Sequence, residues 1–527
     1  MKTGIAFTVI CLLAVLSLVL ADPLWVRTYG NHYGGFDEVH AIGVDDSGKV
    51  VISGFSELSS TDAEFVTIKY KPNGDTAWLR HFNPVNGQNG ATALAIDRQG
   101  NIIVTGYQGD PSSAYGSWQT IKYSASGESL WATTWQYGSY CRASGIATDT
   151  AGNSYVTGRA GSLNYLDFAV VKYDPSGNLV WPFIYDGGDN DGANAVAVDL
   201  EGSVYATGYT VLSGNYGSLL TMKISPTGES LWKNVYANSH NRGDRGENIA
   251  VDNSGSVIVS GVVADSSGHS EYITIKYAPG GDTVWTRLYH GPGNQSDNAM
   301  ALVLDAAGNA YVTGSTWADA SHYDFTTIKY APDGTERWVA RYPGVSHRAF
   351  ADAIGLDVNA NVYVTGYSYD STGQSDAVTV KYDSAGGQRW AERYAGPFGE
   401  DEGYVLAVGP DSSVFVGGRT NSDSGGMDYL AVAYGTAGAV QETMNDERGT
   451  MNVGPTIIRG ALVLGAVDSR QNAVHRAELL DAAGRKRMDL AAGPNDVSRL
   501  SPGVYFVRER LAVGGERSSV HKVVIQK

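Results

Sequence analysis

Cysteine is nearly missing from this chain, with two in 527 residues. Cys11 stands in an N-terminal segment that reads as cleaved, so Cys141 is left alone and no disulfide framework can support the fold. It reads as a quiet small residue rather than a reactive nucleophile. Positive charge is also scarce: 38 Lys and Arg stand against 55 Asp and Glu, a formal net charge of −17. That balance argues against nucleic acid or an anionic membrane as a partner. Long apolar runs are limited to Ile5–Leu20, short for a bilayer-spanning helix. Lys2 precedes that run, and Val19-Leu20-Ala21 offers small residues before a cut ahead of Asp22, so residues 1–21 read as a secretory signal peptide. No transmembrane anchor is expected in the mature chain, which places it outside the cell or on its outer surface. Finally, no His-Glu-x-x-His, Gly-x-Ser-x-Gly, P-loop or Cys-x-x-Cys motif occurs, and the ten histidines show no ligand spacing. Nothing at motif strength supports nucleophilic, metal or phosphate chemistry.

What the chain has is glycine (66), tyrosine (32) and repetition. That composition suits many short strands joined by tight turns. Lys329–Tyr342 reads KYAPDGTERWVARY, and close copies begin at Lys69, Lys276 and Lys381. Tryptophans 25, 78, 131, 181, 232, 285, 338 and 390 mark a period of about 50 residues, the range of propellers and solenoids. After each Trp strand come a small-residue strand ending in Asp, such as AVAVD (195–199), a strand ending in Thr-Gly, such as VYVTG (362–366), and a strand like TIKY (327–330). Four short strands with turn signals between them make one antiparallel blade, and a ring of blades buries faces that one blade cannot. The small-residue strand fits the crowded centre and the Trp strand the outer edge. The array starts with a lone Trp strand, LWVRTY (24–29), and its last unit lacks one, with Glu442 where Trp is expected. The N-terminal strand is therefore expected beside Leu430–Tyr434, closing an eight-bladed β-propeller, with a seven-bladed ring as the alternative.

The motif A-x-A-V-D-x-x-G-N-x-Y-V-T-G followed by I-K-Y resembles the bacterial SBBP β-propeller repeat family, over residues 22 to about 438. The resemblance implies a scaffold and leaves the function open. Its family name suggests seven blades, whereas the repeats here number eight.

Composition changes after Gly438. Residues 439–455 read as a linker, and residues 456–527 as a small β-sandwich with strand-like runs at 456–464, 477–484, 503–509 and 521–527. AELLDAAGRKRMDL, LSPGVYFVRE and the terminal KVVIQK resemble the C-terminal sorting domain of type IX secretion cargo. The resemblance implies that the type IX secretion machinery is a partner and that this domain carries the chain across the outer membrane.

The repeated Asp (45, 97, 149, 199, 252, 305, 357) reads as the cap of a tight turn, since a catalytic residue need not recur in seven units. The repeated Lys (69, 122, 172, 223, 276, 329, 381) is expected to pair with such an Asp across the contact between blades. Asp186, Asp189 and Asp191 in DGGDNDG are weak metal candidates, and calcium is the ion they suit; otherwise no cofactor is expected. The loops between second and third strands vary most. Tyr115, Tyr165, Tyr216, His269 and His322 lie seven residues before the repeated Lys, with Trp317 and Tyr369 in the same loops. Aromatic faces near carboxylates suit a sugar or an extended peptide. The expectation is a non-enzymatic exported propeller that binds an extracellular glycan or protein. The alternatives are a polysaccharide lyase or hydrolase with its site in the channel, and a structural or adhesive surface protein.

Overall fold

The structure, a computed structural model, describes residues 23–30, 34–84, 87–109, 116–162, 165–212, 217–236, 243–319, 321–423 and 425–435, and backbone strand segments between 456 and 525. The signal-peptide residues 1–21 and the linker 439–455 lie outside the described residues. The chain divides into two compact units, Met1–Ala439 and Val440–Lys527.

In the first unit every regular element among the described residues is a strand. The strands form eight consecutive antiparallel groups of four. Six are separate sheets; the other two, Asp37–Phe82 and Gln88–Trp135, are joined by one parallel bridge between Ala63 and Gln88. These are propeller-like blades. The innermost strand of each group packs on that of the next, and the strand Asp401–Val408 packs on Asp37–Val44. The lone strand Pro23–Tyr29 pairs antiparallel with Met427–Tyr434, with Trp25 opposite Ala433.

The repeated residues explain how the units hold. Each of the seven repeat aspartates accepts, through one oxygen, the N–H groups two and four residues later, as Asp97 does from Gln99 (3.0 Å) and Asn101 (2.9 Å). The Thr before the Thr-Gly glycine bonds a Thr of the third strand, as in Thr313 with Thr327 at 2.9 Å. The lysine expectation needs correction. Lys69, Lys122 and Lys276 pair with Asp45, Asp97 and Asp252 of their own units, at 2.9, 2.9 and 3.0 Å. In four other units a tyrosine stands six residues after the Asp. Its hydroxyl donates to that Asp (Tyr155 to Asp149, 2.9 Å), and the Lys ammonium sits over the ring instead (Lys172, 5.1 Å). What reaches the next unit is the ammonium's bond to a turn carbonyl, as from Lys69 to Ala125 (3.3 Å). Competition by the hydroxyl, not the gap between blades, decides where the lysine goes.

The tryptophans are joints. Trp25 donates its indole N–H to the Pro72 carbonyl at 2.9 Å, and its ring covers Gly74, where a β-carbon would come within 2.7 Å of the indole. Trp78, Trp131, Trp181, Trp232, Trp285 and Trp338 make the same donation to the next unit's turn. These indoles are committed to scaffold rather than to a ligand.

The second unit contains two antiparallel sheets. Thr456–Ile458, Ala461–Leu464 and Gly493–Asp496 form one; Lys486–Leu490, Arg476–Asp481, Gly503–Leu511 and Arg517–Ile525 form the other, in that order.

Candidate functional site

Every innermost strand carries one residue too many for its neighbour. Val39 lies opposite Gly54 and Ala41 opposite Ser53, so His40 is left out of register. The same bulge recurs in all eight groups, at Thr92, Ser144, Asn194, Glu247, Met300, Asp352 and Tyr404. The bulge drives a carbonyl towards the second strand, which is why glycine follows there. A β-carbon at Gly54 or Gly366 would lie 1.9 Å from the carbonyl oxygen of Glu38 or Phe350. The Thr-Gly motif is thus the imprint of the bulge.

The bulged residues are the opposite of the scaffold: His, Thr, Ser, Asn, Glu, Met, Asp and Tyr are eight different side chains at one position. They lie on the innermost strand of each group and touch across units. Thr92 donates to the Ala143 carbonyl (3.0 Å), and Asn194 donates to the Gly246 carbonyl (2.9 Å) and the Glu247 carboxylate (3.1 Å). Since strands alternate in direction, the bulges share one end of the units with the variable loops, while the repeated Asp and Lys-Tyr turns occupy the other. We call the bulged end the mouth.

One arc of the mouth is aromatic. Trp317 lies 4.0 Å from Tyr323 between ring centroids, Tyr323 lies 4.8 Å from Phe350, and Phe350 stacks on Tyr367 at 5.3 Å. Tyr369 joins at 6.0 Å from Tyr367, with the Arg348 guanidinium 4.2 Å above its ring. Charged groups continue the arc. Arg419 bonds Glu402 at 2.8 Å and reaches Glu38 at 3.6 Å, and His40 stands 3.5 Å from Glu38. The Tyr404 hydroxyl donates to Glu402, whose other oxygen accepts from Ser375 at 3.0 Å. Asp352 retains some solvent-exposed surface but is closely surrounded by protein atoms. That enclosure, with Glu402 nearby, raises its carboxyl well above the ordinary range, and one of its oxygens has no partner among the described residues. Burial raises Tyr404, and its bond to Glu402 adds to the shift. Burial also opposes ionisation of Glu38, but His40 and Arg419 hold it below the usual range. One carboxyl pushed up (Asp352) and one held down (Glu38) therefore stand in neighbouring groups here.

Of the residues singled out from sequence, Trp317 and Tyr369 belong to this arc. His322 lies beside it, 2.5 Å from Asp319 and with its ring 5.2 Å from His347. Tyr165 is 61% exposed in another group, and His269 closes its own turn, its N–H donating to Asp265 at 2.8 Å. Tyr115 and Tyr216 lie outside the described residues. Of the three aspartates, Asp186 and Asp191 come together with Asp167, their carboxylates within 4.8 Å of one another; Asp189 is not in that group. Burial and the two neighbouring carboxylates push Asp167 up to about 6.

Asp191 belongs to a second repeat that sequence reasoning missed. Asp37, Asp191, Asp244, Asp297 and Asp401 all stand three residues before the bulge and are buried. Asp297 accepts from the Gly291 and Trp317 N–H groups, at 2.6 and 2.9 Å, and so ties two mouth loops together. The signal was the constant offset. Cys141 occupies this same slot before Ser144: its thiol accepts from the Tyr137 N–H (3.2 Å) and donates to the Tyr137 carbonyl (3.1 Å), and burial pushes its pKa up.

No family model matches this chain. Over 233 residues it is 26% identical to the regulatory protein FlaEY of Caulobacter vibrioides, covering 34% of this chain. The chain spans only 24% of that relative's length. Among solved structures it is similar to PorZ, a surface component of the type-IX secretion system of Porphyromonas gingivalis, at 9% identity and a TM-score of 0.38, covering 94% of this chain and 74% of that one. It is also similar to the polysaccharide lyase Uly1 (12%, TM-score 0.40, 77% and 91%) and to a PL25 ulvan lyase (12%, TM-score 0.39, 76% and 95%). Likenesses this distant carry no argument about the site. Among the described residues, no helix is long and apolar enough to cross a membrane.

Proposed function

We propose that the eight groups form one closed eight-bladed propeller, exported by the type IX route through its C-terminal unit, and that it binds a glycan at the mouth. One observation carries the glycan reading: the single inner position that differs in all eight groups adjoins a continuous run of five aromatic rings, Trp317, Tyr323, Phe350, Tyr367 and Tyr369. Aromatic faces take the apolar faces of sugars, and Arg348, Arg419 and Glu38 supply hydrogen bonds to hydroxyls. Loops held by a rigid scaffold are where binding residues concentrate. A glycan array probed with the full mature chain tests this: specific signals are expected, and they are lost in Trp317→Ala and Tyr369→Ala. Signals that survive both changes contradict the reading.

A second reading, an enzyme acting on a polysaccharide, is favoured by the cluster of Glu38, His40, Asp352, Glu402, Tyr404 and Arg419. It brings a histidine, a carboxyl pushed above the ordinary range (Asp352) and one held below it (Glu38) into three neighbouring groups, the kind of contrast acid–base chemistry uses. Shortening of a bound glycan by the wild type, abolished in His40→Gln and Tyr404→Phe, would establish it.

A further inference from the structure

On another arc of the mouth, two arginines face each other. Arg142 and Arg159 are direct cross-strand partners, so their side chains leave the same face of one antiparallel pair. Like charges directly opposite destabilise a sheet, and this chain carries a net charge of −17, so carboxylates are plentiful elsewhere. Yet among the described residues neither guanidinium has an ion-pair partner. Each is held by aromatic rings: Arg142 lies 4.8 Å over Tyr107 and Arg159 lies 5.7 Å over Tyr140, with Tyr209 a further hydrogen-bonding partner of Arg159. Stacking on rings fixes a guanidinium in place, and hydrogen bonds to Tyr209 and Tyr140 engage only part of the five N–H donors of Arg159.

The register makes this pair informative. Arg142 and Arg159 occupy the positions that Glu402 and Arg419 hold in the last group, where the arginine is neutralised by its cross-strand glutamate. Here the acid is replaced by a second base, which leaves room for an anion from outside. Two forks on one face match the oxygens of a carboxylate or sulfate.

We propose that Arg142 and Arg159 form an anion subsite of the mouth, and that the glycan bound there is an acidic polysaccharide carrying carboxylate or sulfate groups. This rests on the glycan reading above and narrows it to a chemical class.

The test titrates the full mature chain with oligogalacturonate, dextran sulfate and neutral dextran, at low and high salt. The acidic chains are expected to bind at least about tenfold more tightly than dextran, with an affinity that falls as salt rises. Whichever of the two binds identifies carboxylate or sulfate. Arg142→Gln and Arg159→Gln are each expected to cost about tenfold for the acidic chain and nothing for a neutral one. Each variant should melt within a few degrees of the wild type, because relief of the like-charge contact offsets the lost ring contact. Equal affinity for acidic and neutral chains, or variants that bind the acidic chain like the wild type, overturns the proposal. Preference for neutral glycans alone sinks the subsite and leaves the glycan reading standing. Arginine-dependent stabilisation by galacturonate or sulfate ions, without binding of any polysaccharide, does the reverse.

Discussion

Gly366 lies beneath the carbonyl of Phe350, so close that a β-carbon there would stand 1.9 Å from the oxygen. Phe350 and Tyr367 flank this contact and stack on each other, which makes the glycine a support of the aromatic arc. Gly366→Ala should therefore destabilise the chain by about 2 kcal/mol or more, through backbone shifts that open the bulge. Gly280→Ala, in open space, is the control and should be close to neutral. Urea denaturation followed by tryptophan fluorescence reads both; equal midpoints would show that the bulge is not needed.

The lysines should separate by partner. Lys122→Met leaves the buried Asp97 carboxylate without its counter-charge and should cost about 3 kcal/mol. Lys329→Met loses a ring contact at 4.8 Å and should cost about 1 kcal/mol or less. Similar losses in the two unfolding curves would refute the partner assignment.

Asp401 gives a pH prediction. Burial pushes its carboxyl up from 3.8 to about 6, partly offset by its bonds to Thr420 and Gly396. The folded chain thus holds a proton that the unfolded chain releases. This contribution to stability is present below about pH 4 and is lost as pH rises through about 6. Asp401→Asn should flatten the decline in melting temperature over that window. An unchanged slope would mean that Asp401 ionises normally.

Trp25 tests the lone strand. It is 7% exposed, lies opposite Ala433 and donates to Pro72. Trp25→Ala should cost about 3–5 kcal/mol in equilibrium unfolding. A loss near zero would mean that the first strand is dispensable.

The sequence displayed this scaffold because the scaffold repeats. Period, turn aspartates, tryptophan joints and the partner of the first strand were all readable from residues that recur. The bulge was not, because an extra residue in a strand looks like any other, and a period-two pattern carries past it without comment. His40, Asp352 and Tyr404 therefore passed as ordinary strand residues until the register exposed them. Asp191 shows a related gap: inside DGGDNDG it reads only as a weak metal candidate, and its second role, accepting the Gly187 and Val211 N–H groups as one of five loop ties, was not visible. The aromatic arc joins residues from two groups, and pairs such as Tyr323 and Phe350 have no shared motif. The more useful sequence signal was the position at which the repeat fails to repeat.

The most direct test compares the two ends of the molecule in one titration with the glycan found on the array. Trp317→Ala and Tyr404→Phe alter the mouth; Leu200→Ala and Val358→Ala alter side chains that are 73% and 83% exposed at the repeated turns. The account predicts that each mouth variant weakens binding by about tenfold or more, while the turn variants bind like the wild type. Loss of binding in the turn variants with the mouth variants unaffected would contradict it.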